Sequence, residues 1–206
     1  MYKRQLATPD IMNKWVESLL EYYRVGGWLP NGPPGVEYCD IMGAQHEIPL
    51  MVSAYQKGIR NYDVDKAYEA VKKTLTTQGT ALSSGGIVGN RHLDVYLKYG
   101  FVPYGEKSHH NVFGTTYEGP TSNTLEYAFD DWNAAQFAKA LGYEEDYDYF
   151  TRRAYNYKNV FDSETKYVRP KYSDGTWMPD FEPINKDEHS TSCLLYTSPS
   201  PRDYAA

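Results

Sequence analysis

The chain has 206 residues, with 27 acidic against 21 basic side chains and a formal net charge of −6, and its Lys and Arg residues form no stripe, which excludes a nucleic-acid partner. No apolar run reaches the roughly 18 residues of a membrane-spanning helix, and the N-terminal MYKRQLATPDIMNKW has no apolar stretch of the signal-peptide kind. Two cysteines, Cys39 and Cys193, exclude a disulfide framework, while the 21 tyrosines fit either ordinary helix packing or flat rings that stack on sugars.

In chain order, Asp10 caps a predicted helix over residues 11–25, with Ile11, Trp15, Leu19 and Tyr22 (or Tyr23) on one stripe and Gly26-Gly27 as the stop. WLPNGPPGVEYCDIMGA follows, a Pro/Gly-rich loop longer than a helix–helix turn needs. A second helix runs from His46 to Lys57 and ends at Gly58; Asp63 caps a third, VDKAYEAVKKTLTT. QGTALSSGGIVGN reads as a loop, RHLDVYLKY as a short helix closed by Gly100, and FVPYGEKSHHNVFGTTYEGPT as irregular. Beyond Gly142, EEDYDYFTRRAYNYKNVF makes one more helix, and residues 161–183 change to turns around a short extended piece. The pattern is all-α: about three helical hairpins with long loops gathered at one end.

The segment SNTLEYAFDDWNAAQFAKALG, residues 122–142, carries Glu126, Asp130 and Asp131 on a helix otherwise suited to burial. At about 100° per residue, Leu125, Ala128, Phe129, Trp132 and Ala135 share one face. Tyr127, Ala134, Ala138 and Leu141 cover the opposite side, and Phe137 fills a third, so the helix is expected to be enclosed on several sides. Glu126 and Asp130 stand one turn apart, where like charges repel. Structural duties for the acids are a capping box behind Asn123 for Glu126, an ion pair with Arg152, Arg153 or Arg169 for Asp130, and a backbone bond for Asp131. The functional alternative makes this helix the wall of a cleft whose carboxylates accept hydrogen bonds from substrate hydroxyls.

Trp28 in GGWLP reads equally as a stacking ring or a core residue. His46, opening a helix after a Pro/Gly loop, is a pocket candidate. His92 reads as structural, and His109-His110 as exposed loop residues without metal-ligand spacing. GGIVGN lacks the strand–Gly–helix setting of a phosphate loop. From about residue 190, STSCLLYTSPSPRDYAA has neither helical nor strand period, and CLLYTSPSPRD resembles a translated sequencing adapter; residues 190–206 are expected to be a non-native tail.

The order of GGWLP, MGAQH running into AYQKGI, DVDKAYEA, YGFVPY, TLEYAFDDW, RRAYNYKNVFD and YVRPKYSDGTW resembles glycoside hydrolase family 92, the calcium-dependent exo-acting α-mannosidases, over about residues 10–183. That family pairs an N-terminal β-sandwich with an (α/α)6 barrel. The resemblance therefore implies that residues 1–189 are part of such a barrel, about half of its helices, with the sandwich and the rest of the barrel as missing partners. It implies inverting hydrolysis of terminal α-linked mannose in N-glycans or mannans by a carboxylic acid and a carboxylate base, with Ca2+ bound to sugar oxygens.

The family's Glu-Gly-Asn acid segment, its calcium ligands and its base follow the matched region, and a Trp-Asp-x-x-Arg motif precedes it. No catalytic residue or metal ligand is thus expected here. Trp28, His46, Glu126, Asp130, Asp131, Trp132 and Arg169 are the residues expected to line the α-mannoside site. Family habit implies a periplasmic or extracellular enzyme, inactive in this truncated form. Two departures stand out: NGPP follows GGWLP where relatives carry a second Trp, and KSHHNVFGTTYEGP has no counterpart. The competing readings are another (α/α)6 glycosidase or lyase and a non-catalytic helical glycan-binding protein.

Overall fold

The computed structural model describes residues 5, 7–31, 38, 44–83, 86–105 and 119–181. The expected tail, both cysteines, and His109 and His110 lie outside the described residues. Among the described residues six α-helices dominate: α1 Pro9–Gly26, α2 Glu47–Gln56, α3 Val64–Thr76, α4 Leu93–Tyr99, α5 Pro120–Leu141 and α6 Glu144–Ala154, followed by a 3-10 helix at Tyr155–Val160. The all-α fold expected from periodicity is the one observed. Among the described residues no helix is long and apolar enough to cross a membrane.

Local chemistry accounts for most helix ends. Asp63 caps α3 as predicted, its carboxylate accepting the Lys66 N–H at 2.9 Å. Gly27 and Gly142 stop α1 and α5 in the left-handed conformation, with φ of 78° and 82°. α5 departs from expectation at its start. It begins at Pro120 behind Gly119, whose carbonyl accepts the Ser122 hydroxyl at 2.9 Å. Proline suits the first helical position because its missing N–H is needed by no partner there. Asn123 therefore lies inside the helix, and Glu126 belongs to no capping box.

α1 buries Met12, Val16, Leu20 and Tyr23, one position round from the predicted stripe, and leaves Ile11 and Trp15 exposed. The helix carries two adjacent apolar stripes, and periodicity alone does not choose between them. Part of the choice rests on a polar contact: Asn13 Nδ2 donates to the Asn61 carbonyl at 2.7 Å, turning that side towards the α2–α3 connection.

Tertiary packing centres on α5, which meets α2, α3, α6 and the 3-10 helix. Phe137 sits in the middle of the core, its ring 5.0 Å from that of Tyr55 on α2 and 5.6 Å from that of Tyr68 on α3. Ala134, Ala135 and Ala138 around it have no bulk to hold the neighbouring helices away. α6 follows α5 after only Gly142 and Tyr143, so the two form an antiparallel hairpin. α2 instead runs parallel to α5, since Gln45 at its head meets Asp130 while Tyr55 near its end meets Phe137. Parallel helices separated by antiparallel partners are what a ring of α-hairpins requires.

The remaining side of α5 is open. Phe129 and Trp132 lie 43% and 49% exposed, with ring planes 8° apart and centroids 6.4 Å apart.

Two shorter features differ from the predicted loops. Thr80–Ala81 (β1) and Ile87–Val88 (β2) pair antiparallel, too short to show an alternating pattern in sequence. Residues 155–160, predicted to continue the last helix, tighten into the 3-10 turn, where Asn159 Nδ2 donates to the Gly100 carbonyl at 2.9 Å. The extended piece expected beyond residue 161 is present as bridges Phe161–Val168 and Lys171–Trp177.

Candidate functional site

His46 occupies the N-cap position of α2 with its side chain exposed, and makes no capping bond. The backbone just ahead of it is held by other elements. The Gln45 N–H donates to Asp130 Oδ2 at 3.0 Å, and Asn31 Nδ2 donates to the Ala44 carbonyl at 2.6 Å. Glu47, the first residue of α2, is buried beside them, and Glu126 is half-buried one turn before Asp130. The head of α2, the loop after α1 and the first half of α5 thus assemble one polar, acidic corner, with His46 at its surface.

Asp130 is 0% exposed and pairs with no cation among the described residues. Burial holds its carboxyl well above the usual carboxylate range; the Gln45 N–H opposes this, and the charges of Glu47, Glu126 and Asp131 add to it. Asp130 Oδ1 and Gln45 Oε1 are buried without a hydrogen-bond partner among the described residues.

A group whose pKa rises on folding binds protons on folding. Its contribution is therefore full below the unfolded value of about 4 and is lost as pH climbs through the folded value. Asp130→Asn is expected to flatten the pH dependence of stability above pH 4. Relative to wild type, the variant gains up to about 1.4 kcal/mol for each pH unit over which one proton is released. Urea midpoints from pH 4 to 8 read this directly; parallel curves would refute it.

Asp131 faces the other way. Arg153 Nε donates to its Oδ2 at 3.1 Å, Arg153 Nη2 stands 2.8 Å from its Oδ1, and the Tyr96 hydroxyl donates to Oδ2 at 2.9 Å. The Nη2 contact is a close charge contact, not an aligned hydrogen bond. Burial pushes Asp131 up to about 7, with the Arg153 guanidinium and the Tyr96 hydroxyl opposing. The structural duties read from sequence are thereby exchanged: Asp131 holds the arginine, and Asp130 takes the backbone N–H.

The other expected site residues are dispersed. Trp28 is buried, with Lys73 Nζ 4.7 Å from its ring centre and Gly89 so close that a Cβ there would stand 2.7 Å from its ring. Trp132 lies on the open side of α5 beside Phe129. Arg169 bonds Asp162 Oδ2 at 3.0 Å and the Met178 carbonyl at 2.7 Å, bracing the turns beyond the 3-10 helix. Of the seven, Glu126, Asp130 and His46 belong to the corner at the head of α2. Asn31, Gln45 and Glu47 also build it, and sequence reading missed them. The adjacency of Gln45 and Glu47 to His46 was the available signal.

Among the described residues no group of three or more His, Cys, Asp or Glu could hold a metal ion. The acidic corner does not fit calcium either, because Asp130 is fully buried and burial disfavours its ionised form, whereas calcium takes several ionised or carbonyl oxygens.

A secreted glycosidase of Arthroderma benhamiae is 28% identical in an alignment 199 positions long that covers 90% of this chain and 25% of that protein. Two solved structures from Bacteroides thetaiotaomicron superpose closely. The family GH92 inverting mannosidase BT2199 does so with a TM-score of 0.71 at 30% identity, over 84% of this chain and 22% of that one. The family GH92 α-mannosidase BT3965 gives 0.72 at 31% identity, over 88% and 22%; it has also been solved in complex with mannoimidazole. The chain thus spans a quarter or less of the length of these relatives. The family model for the glycosyl hydrolase family 92 catalytic domain matches residues 3–206, and this chain belongs to glycoside hydrolase family 92.

Proposed function

We propose that this chain is part of the catalytic domain of an inverting, exo-acting α-mannosidase that removes terminal α-linked mannose from N-glycans or mannans. What supports the reading is the superposition on α-mannosidases over more than four fifths of the chain at about 30% identity. In this proposal residues 1–189 contribute ring helices, and residues 190–206 are foreign to the domain. The β-sandwich, the remaining ring helices, the calcium ligands and the catalytic acid and base reside in the rest of the parent enzyme, which is exported.

Within this chain, His46 and Glu126 are the groups that meet sugar hydroxyls, because they border the corner without being fully buried. Asp130, fully buried, supports the wall behind them. Trp28, Asp131, Trp132 and Arg169 shape the surroundings through the contacts described above.

Incubated with an α-mannobiose and calcium, the 206-residue chain is expected to release no mannose. The polypeptide from the uninterrupted reading frame is expected to release it as the inverted β-anomer, visible by NMR, and to lose activity on chelation. Mannose release by the short chain would mean that it holds a catalytic pair of its own. Retained stereochemistry in the long form would remove the inverting assignment.

A further inference from the structure

The backbone next to His46 is held more firmly than the start of a helix requires. The peptide unit joining Ala44 to Gln45 is bonded at both edges: its carbonyl accepts from Asn31 Nδ2 at 2.6 Å, and its N–H donates to Asp130 Oδ2 at 3.0 Å. The two partners come from different elements, the loop after α1 and the middle of α5, and all four residues are buried. A planar peptide unit retains one easy motion, a rocking about the line between its Cα atoms. Bonds at opposite edges remove it, fixing the backbone one residue before His46. On the other side, the Ile48 N–H donates to the Gln45 carbonyl at 2.9 Å, and Glu47 is buried. His46 is therefore an exposed imidazole on an immobilised turn.

Satisfying a buried carbonyl explains the Asn31 bond by itself. It does not explain why a whole carboxyl group is buried to accept a single N–H, at the cost of desolvation, with its second oxygen meeting no partner among the described residues. Immobilisation has a use if the side chain carried by the turn must meet a ligand in one orientation, since misplacement of about 1 Å is costly at a reacting or binding group.

We infer that Asn31 and Asp130 are positioning residues that fix the His46 imidazole for contact with a hydroxyl of the sugar. The inference rests on the reading of His46 as a sugar-facing residue.

Hydrogen-exchange mass spectrometry on the 206-residue chain tests it, following the Gln45 amide and the slow C2–H exchange of the His46 ring, with and without methyl α-mannopyranoside. In the wild type the Gln45 amide is expected to be protected, and the sugar to slow exchange at His46. Asp130→Asn keeps an acceptor oxygen and is expected to retain both behaviours. Asn31→Ala and Asp130→Ala are expected to speed Gln45 exchange about tenfold or more and to abolish the sugar response, while the amides of α6 stay protected and show that the fold persists. A sugar response unchanged in Asn31→Ala and Asp130→Ala would overturn the positioning role alone. Absence of any response in the wild type would overturn the sugar-facing reading of His46, and the inference with it.

Discussion

Asp131→Ala is expected to lower the stability of the chain by about 3–5 kcal/mol, the range for breaking a buried ion pair from one side. The residue left behind is the problem. Arg153 is buried, and the bonds of Nη1 to the Leu75 carbonyl at 2.9 Å and to the Tyr149 hydroxyl at 3.1 Å satisfy that nitrogen without neutralising the charge. The guanidinium also lies 5.2 Å from the ring centre of Tyr149 and 5.5 Å from that of Phe150, so no water can replace the lost carboxylate without opening the α5–α6 contact. Total stabilities of single domains are themselves only about 5–15 kcal/mol, which makes this loss close to limiting. Urea denaturation at pH 8, above the value of about 7 to which burial pushes Asp131, followed by tryptophan fluorescence, measures it. The double variant Asp131→Ala/Arg153→Met should recover a large part of the loss, because it removes the stranded charge together with its partner. A single-variant loss below about 1 kcal/mol, the level of a surface pair, would show that the site is wetter than its burial indicates.

Phe137→Ala should be comparably severe, about 3–5 kcal/mol. Phe137 is fully buried where three helices meet, with the Tyr55 ring tilted at 51° to it and the Tyr68 ring edge-on at 84°. Its removal leaves a cavity that two rigid tyrosines on different helices cannot collapse to fill. The Tyr68 hydroxyl is also committed, donating to Asp146 Oδ2 at 2.6 Å, which further restrains its ring. Phe137→Leu keeps most of the volume and should cost markedly less. Equal losses for the two variants would mean that shape, not volume, dominates at this position.

How much of this could be read in advance divides along physical lines. Features set by neighbours in sequence were legible: Asp63 capping α3, the glycine stops, and the existence of the long acidic helix. Features set by what a helix face meets were not. Asp130 and Asp131 are adjacent in sequence but about 100° apart round the helix axis, so one meets the head of α2 and the other meets α6. On a helix enclosed on several sides, nothing local says which acid has the arginine. The same gap displaced the buried stripe of α1 by one residue. At the candidate site, His46 was visible because a histidine opening a helix after a Pro/Gly loop is unusual. Asn31 and Gln45 were not, since loop residues carry no period: Asn31 acts on a carbonyl 13 residues away, and Gln45 takes part through its own backbone N–H, which meets Asp130 on α5.

The stacked Phe129 and Trp132 on the open side of α5 have a consequence in time. Relatives of this chain are about four times as long or more, and a ribosome extends a polypeptide by about 5–20 residues each second. In such a protein a covering segment that lies later in the chain is made only after this helix has left the ribosome, and until then two parallel aromatic faces wait in water. For that interval the nascent chain offers a ready grip to chaperones and to neighbouring nascent chains alike. The pace of synthesis, as much as the final energy of the fold, then decides how much enzyme is recovered.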